Sequence, residues 1–397
     1  MKIGLSRERK NPPDKRVALS PIQCIALQNR YPNTKILVES SPSRAFSDQQ
    51  YREVGIEVVN DLQGAEIIFN IKELPADALI PGKTYFFFSH TIKKQPYNRE
   101  MLKSILTKNI TLIDYEILQY ENGQRVLGFG RFAGIVGTYN GFLAYGKKHG
   151  LFTLKPAHQS TNYASLLTQL LKIKLPNMRI LVSGGGRVSQ GALDLLRALQ
   201  LREVSPEQFL HMQYNEPIFV QLNSPELYIH PSQNSWNTKH FYSHHKEYKS
   251  QFSAYISHTD LFINGIYWTT DLPRLFEKLD TASAQFVPTV IADISCDIDG
   301  SVPITYKSTS IENPVMGWSR SKQAPCEPYS KDSIDIMAVG NLPNELPRDA
   351  SEEFGEMLLQ LVIPALFEKK SRLLLGATIC KAGKLTDKYN YLSDYVQ

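Results

Sequence analysis

The chain has 397 residues and a net charge of +5, from 44 lysines and arginines against 39 aspartates and glutamates; this leaves room for two domains with full cores, while the charge is too mild and scattered for a nucleic-acid footprint. Its four cysteines, Cys24, Cys296, Cys326 and Cys380, stand far apart with no Cys-x-x-Cys pair, which excludes a disulfide framework or a zinc ribbon and suits a reducing compartment. No basic-then-apolar leader opens the chain and no apolar run is long enough to span a bilayer, so the expectation is a cytoplasmic monomer or homodimer with no membrane or nucleic-acid partner.

Lys2–Leu5 reads as a strand, and a charged, proline-containing loop follows from Arg7 to Arg16. Ser20-Pro21, an N-cap with proline at the first helical position, opens a helix to about Tyr31. Lys35–Glu39 is the next strand and Ser47–Val54 a helix. Glu66–Ile71 is a strand ending at Lys72, and Thr84–Ser89 another ending at His90. Pro96–Thr107 is helical, and Ile110–Tyr115 is a strand followed by Glu116. Such β/α alternation predicts a parallel sheet flanked by helices. A helix from about Ala133 to His149 is expected to cross into a second domain.

The second domain centres on Arg179–Ser183, a short apolar run that breaks into Gly184-Gly185-Gly186. Apolar residues then resume at helical spacing: Val188, Ala192, Leu195, Leu196 and Leu199. Strand, glycine turn and helix make the first half of a dinucleotide-binding unit. Gly184 allows the sharp turn, Gly186 the approach of a pyrophosphate, and Gly191 close packing of the helix on the strand. The helix N-terminus offers N–H groups to the phosphate charge. The spacing is Gly-x-Gly-x-x-x-x-Gly rather than the tighter Gly-x-Gly-x-x-Gly. About twenty residues after such a loop begins, an acid holds the ribose of NAD or an arginine accommodates the phosphate of NADP; Arg202-Glu203 stands there. Leu261–Trp268, Thr289–Ile294 and Ile334–Val339 read as further buried strands. Ser351–Lys369 reads as a long helix returning to the first domain. The expected architecture is α/β: two Rossmann-like domains, 1–140 with 345–397 and 141–344, with ligand and cofactor meeting in the cleft between them.

Open α/β sheets bind ligands beyond the carboxyl ends of their strands, so Lys72, His90 and Glu116 are site candidates in the first domain. His240 and His244 are four apart, with His245 adjacent, but no carboxylate or cysteine completes a ligand set, and no metal is expected. Cys296 reads as a buried strand residue without a catalytic partner. Gly128–Gly134 reads as a tight turn into the interdomain helix, with Arg131 a candidate cleft residue.

The stretches Phe87-Phe88-Ser89-His90-Thr91-Ile92-Lys93, Leu112-Ile113-Asp114-Tyr115-Glu116 and Phe262-Ile263-Asn264-Gly265-Ile266-Tyr267-Trp268 resemble the lysine–ketoglutarate reductase half of α-aminoadipic semialdehyde synthase. So do Asp293-Ile294-Ser295-Cys296-Asp297, Asn341–Arg348 and the tail Asp387–Tyr391. The pattern is similar, more loosely, to lysine-forming saccharopine dehydrogenase, and more distantly to alanine dehydrogenase and the transhydrogenase N-terminal domains. The matches are collinear from the first strand to the last ten residues.

That resemblance implies a two-domain oxidoreductase that interconverts saccharopine with lysine and 2-oxoglutarate using NAD or NADP. It implies Lys72 and His90 as the acid–base pair, Arg16 and Arg125 as carboxylate-gripping arginines, Glu116 as the glutamate that tunes the pair, and Lys93 as a further lysine beside it. It places Asp293 beside the nicotinamide and counts Ile266, in its stretch, among the cofactor-binding residues. In the glycine loop, Val188-Ser189 matches the reductase pattern, whereas Arg187 is similar to the saccharopine dehydrogenase version. The reductase resemblance tilts the cofactor to NADP. An amino-acid dehydrogenase of the alanine dehydrogenase type and a non-catalytic nucleotide-binding relative stay open as alternatives. Reductive amination itself asks for these residue types: fixed arginines for several carboxylates, and a histidine with a pKa-lowered lysine for proton transfers.

Overall fold

The computed structural model describes residues 1–232 and 235–397. The chain forms two units, Met1–Phe129 with Pro347–Gln397, and Gly130–Leu346. Each carries an eight-stranded, mostly parallel sheet flanked by helices. No helix among the described residues is long and apolar enough to cross a membrane.

In the first unit the parallel strands are β1 (Lys2–Leu5), β2 (Lys35–Glu39), β3 (Glu57–Val59), β4 (Ile67–Lys72), β5 (Thr84–Phe88) and β6 (Thr111–Asp114), in the order β6-β5-β4-β1-β2-β3. Two antiparallel strands from the chain's end, Thr378–Lys381 and Lys384–Leu385, extend the β6 edge. Both faces of the sheet are buried, so the strands read as continuous apolar runs. Phe69, Ile71 and Phe86 enter one core, and Ile68, Tyr85 and Phe87 the other. Ser20 caps the helix Pro21–Arg30 in a reciprocal box with Gln23.

In the second unit the strands are β7 (Arg179–Ser183), β8 (Arg202–Glu203), β9 (Ile218–Leu222), β10 (Tyr228–Ile229), β11 (Lys249–Ser250), β12 (Leu261–Asn264), β13 (Val290–Asp293), β14 (Val315–Ser319), β15 (Ala324–Cys326) and β16 (Ser333–Met337). The main sheet runs β15-β14-β16-β13-β12-β7-β9-β8, antiparallel at β14 and β15, while β10 and β11 pair separately. The helix Gly130–His149 lies against the helix Arg187–Ala198, and glycine makes this possible. A Cβ on Gly191 would stand 1.9 Å from the Arg131 carbonyl oxygen, and one on Gly134 1.9 Å from that of Val188. Gly191 therefore serves helix-on-helix packing, not the helix-on-strand contact expected from the sequence.

Other expectations are corrected locally. The Leu261 strand stops at Asn264 rather than Trp268. The expected helix Ser351–Lys369 is an α-helix Pro347–Met357, a π-turn Leu358–Val362 and a 3₁₀ turn Pro364–Phe367, because Pro364 cannot continue the ladder. Cys296 lies beyond β13, partly exposed, with φ 48°.

Candidate active site

β4, β5 and β6 are neighbours and run parallel, so the residues after them gather at one rim of the first unit. A bulge between Phe69 and Lys72 shifts the β4 register and aligns Lys72 with Phe88 of β5. An extra residue re-aims a side chain in this way, here turning Lys72 to the face that Phe88 shares. His90, two residues past Phe88, holds φ 52°, a left-handed conformation that is strained for a residue with a Cβ and is typical of functional sites.

Glu116 is the hub of this rim. Its Oε2 lies 3.2 Å from His90 Nδ1, and its Oε1 3.3 Å from Lys93 Nζ and 3.0 Å from an Arg125 guanidinium nitrogen. Burial pushes its pKa up, but the His90 hydrogen bond and the charges of Lys93, His90 and Arg125 outweigh it and hold it down to about 2. Glu116 is thus an anion that orients the imidazole ring through Nδ1. Burial, helped by Arg16, lowers the pKa of Lys72, against Asp14, Glu73 and Glu8. Arg16 is 4% exposed; Asp14 takes its Nε at 2.9 Å and a terminal nitrogen at 2.5 Å, and its guanidinium stacks on Phe129 at 4.2 Å. Arg16, which the resemblance implies grips a substrate carboxylate, gives Nε and one terminal nitrogen to Asp14. Two buried acceptors beside Lys72, Asn70 Oδ1 and Glu73 Oε2, have no hydrogen-bond partner among the described residues.

Glu8 escaped the sequence reading. β1 ends at Leu5, so the last amides of β4 outrun their neighbour strand. Glu8 accepts them: Ile71 N–H at 2.7 Å and Lys72 N–H at 3.2 Å. Burial and nearby Asp14 raise its pKa to about 8 against those hydrogen bonds. An acid three residues beyond a first strand is the signal that was available; a charged loop hid it.

In the second unit a rim forms at the carboxyl ends of β9, β7, β12 and β13, where Ser183 aligns with Leu222 and Asn264, and Asn264 with Asp293. Gly184, Gly186, Arg187, Val188, Ser189, Gly191, Ile266 and Asp293 all belong to it or to the helix that leaves it. Gly184 has φ +96°, and a Cβ built on Gly186 meets nothing within 4 Å. That open backbone at the N-cap of the helix Arg187–Ala198, with the first-turn amides beyond it, fits a pyrophosphate. Ser189 is buried, and its hydroxyl bonds the carbonyl oxygens of Ser183 at 2.9 Å and Gly265 at 3.4 Å, so it braces the loop from within. Asp293 is fully buried, accepting from Asn264, Ser295 and Thr305 at 2.6–2.8 Å; it sets the ends of β12 and β13 from beneath.

Arg202 and Glu203 lie elsewhere. They form β8, which pairs with Ile218 and Phe219 at the start of β9, level with Arg179 and Ile180. Four strand steps, about 13 Å, separate them from the glycine loop. They pair instead with Glu216 and Arg197. The strand beside β7 is β9, and one residue lies just past its end, level with the glycine loop. That residue is Asn223, whose Oδ1 would stand 2.6 Å from a Cβ on Gly185, while Gln221 Nε2 donates to the Gly184 carbonyl at 2.9 Å. Arg131 pairs with Asp194 at 2.6 Å within this unit.

The family model for the N-terminal domain of alanine dehydrogenase/PNT matches residues 4–136. The α-aminoadipic semialdehyde synthase of Mus musculus is 28% identical, covering 98% of this chain and 47% of that protein. The NAD(+), L-lysine-forming saccharopine dehydrogenase of Yarrowia lipolytica is 27% identical, covering 94% and 93%. Both relatives are similar to this chain over nearly all of its length. The chain spans about half the length of the semialdehyde synthases it matches. A solved L-alanine dehydrogenase shares the fold over 100% of both chains, with a TM-score of 0.66 and 18% identity. This chain brings Lys72, His90, Lys93, Glu116, Arg125 and Arg16 to one unit, and the glycine loop, Ile266 and Asp293 to the other.

Proposed function

We propose that the chain interconverts saccharopine with L-lysine and 2-oxoglutarate, with a nicotinamide nucleotide held on the glycine-loop rim. The observation that carries this reading is Glu116 joined to His90, Lys93 and Arg125 at the rim that Lys72 also enters. Basic groups there suit the carboxylates of the keto acid, and the unpartnered acceptors of Asn70 and Glu73 suit the ammonium of lysine. Lys72, with its lowered pKa, takes a proton from the attacking amine nitrogen. His90, oriented by Glu116, delivers a proton from Nε2 to the keto oxygen as the nitrogen adds, and Lys72 returns the proton it took to the resulting hydroxyl, which leaves as water while the C=N bond forms. The nicotinamide supplies the hydride that completes the secondary amine. The test is nucleotide oxidation with lysine plus 2-oxoglutarate against ammonia plus pyruvate. Turnover with the first pair is expected; turnover with the second alone transfers the reading to the alanine dehydrogenase type, and nucleotide binding without turnover to a non-catalytic relative.

The nucleotide choice turns on Asn223. It has no carboxylate to repel a 2′-phosphate, so NADPH is accepted at least as well as NADH. Asn223→Asp is expected to weaken NADPH at least about tenfold relative to NADH, a like-charge penalty of about 1.4 kcal/mol or more. A wild-type preference for NADH overturns the first statement, and an unchanged ratio in the variant overturns the assignment of Asn223.

A further inference from the structure

Four of the nine histidines, His230, His240, His244 and His245, fall within sixteen residues of the segment between β9 and β12. The fold brings two of them to one carboxylate. His230 follows β10, Glu247 stands two residues before β11, and His240 lies on the helix Thr238–Ser243. The pairing of β10 with β11 brings the chain segments that carry the first two side by side. Phe241, Tyr248 and Trp236 pack beneath, with ring centroids 4.8–5.6 Å apart, which fixes the helix over the strands.

We infer that His230, His240 and Glu247 bind a zinc ion. Glu247 Oε2 lies 3.3 Å from His230 Nε2 and 3.5 Å from His240 Nε2, and the three donor atoms stand within 4.8 Å of one another. Ligands about 2.0–2.1 Å from a tetrahedral zinc are about 3.3 Å apart, so two edges of the site are already set. Two imidazoles and one carboxylate suit zinc far better than magnesium, which prefers oxygen donors and octahedral geometry. Tyr248 Oη sits 3.2 Å from His240 Nδ1, the outer contact that fixes a ligating ring and directs the Nε2 lone pair at the metal. His230 Nδ1 accepts the Ser232 amide at 3.1 Å. Without metal, its proton therefore sits on Nε2 facing Glu247. Binding moves that proton to Nδ1 and costs the Ser232 hydrogen bond. The fourth zinc position is left for water.

The alternative is a plain histidine–glutamate pair, and pH separates the two. Protonation strengthens the pair and expels a metal. Tag-free full-length protein, stripped with chelator, is titrated with zinc sulfate or magnesium chloride at pH 8 and pH 6. Isothermal titration and thermal melting are the readouts. One zinc per chain is expected, with a rise in melting temperature at pH 8 that shrinks at pH 6, and no effect of magnesium. His230→Ala and His240→Gln each weaken zinc at least about tenfold. Glutamine at 240 still bonds Glu247, so it removes the metal donor while keeping a folded partner. His258→Ala, in the loop before β12, leaves binding unchanged. Wild-type protein that binds no zinc, or zinc binding unchanged from wild type in either variant, overturns the site.

Discussion

Lys72 and His90 carry the chemistry in this reading, and their surroundings set its pH dependence. Burial lowers the lysine's pKa, while Glu116 remains ionised down to about pH 2 and holds the imidazole. Turnover should therefore follow a bell-shaped pH profile, whose alkaline limb reports the pair acting together and falls below the ordinary lysine range. Lys72→Met and His90→Gln should each lower kcat by roughly 10²–10⁴. The double variant should lose less than the product of the single losses, since the two act as a unit. Nucleotide dissociation constants should stay unchanged, because the glycine loop belongs to the other unit. Normal turnover in either single variant would remove that residue from the mechanism.

At the scale of elements, the glycine-loop unit uses its glycines for two different purposes, and substitution separates them. Gly134 and Gly191 let two helices meet backbone to backbone, where an added methyl would stand 1.9 Å from a carbonyl oxygen. Gly134→Ala and Gly191→Ala should thus destabilise the protein by about 1–3 kcal/mol or more, as overpacking does. Gly186 has open space where its Cβ would be and a negative φ of −80°. Gly186→Ala should fold with an unchanged melting temperature yet bind nucleotide more weakly, because the methyl occupies the pyrophosphate's approach. Melting curves alongside nucleotide titration check all three; a destabilised Gly186→Ala that binds normally would reverse the assignment. The strand–glycine–helix pattern was legible in sequence because it is local. The partner of Gly191 was not, since a contact with Arg131 some sixty residues away leaves no periodic trace. Arg202 and Glu203 fall away from the glycine loop for a related reason. The spacing rule assumes that β9 follows the helix directly, but β8 and the helix Pro206–His211 intervene, so the residue that follows the strand beside β7 is Asn223.

Over the whole molecule, two α/β units followed from the alternation of apolar runs and helical segments. Lys72, His90 and Glu116 followed from the rule that ligands gather beyond parallel strand ends. Glu8, Asn223 and the His230–His240–Glu247 cluster depend on which distant segments the sheets bring together, and the sequence order conceals that. Glu8 and Glu116 also give the first unit opposite pH sensitivities. Glu116, held at about 2 against an ordinary 4.5, contributes stability that is complete above pH 4.5 and is lost as pH falls toward 2. Glu8 is raised from 4.5 to about 8, and Asp114, by burial, from 3.8 to about 6. Stability linked to these two is present below their unfolded values and is lost as pH rises through the folded ones. Urea unfolding from pH 3 to pH 9 should therefore show wild type losing ground to Glu8→Gln as pH climbs from 5 to 9. Its advantage over Glu116→Gln should shrink below pH 4.5. Hydrogen exchange locates the effect: peptides spanning β4 and β5 should respond, while those of β12 and β13 should not. Parallel wild-type and Glu8→Gln curves between pH 5 and pH 9 would mean that Glu8 ionises as an ordinary surface acid and does not clamp the end of β4 in the way drawn here.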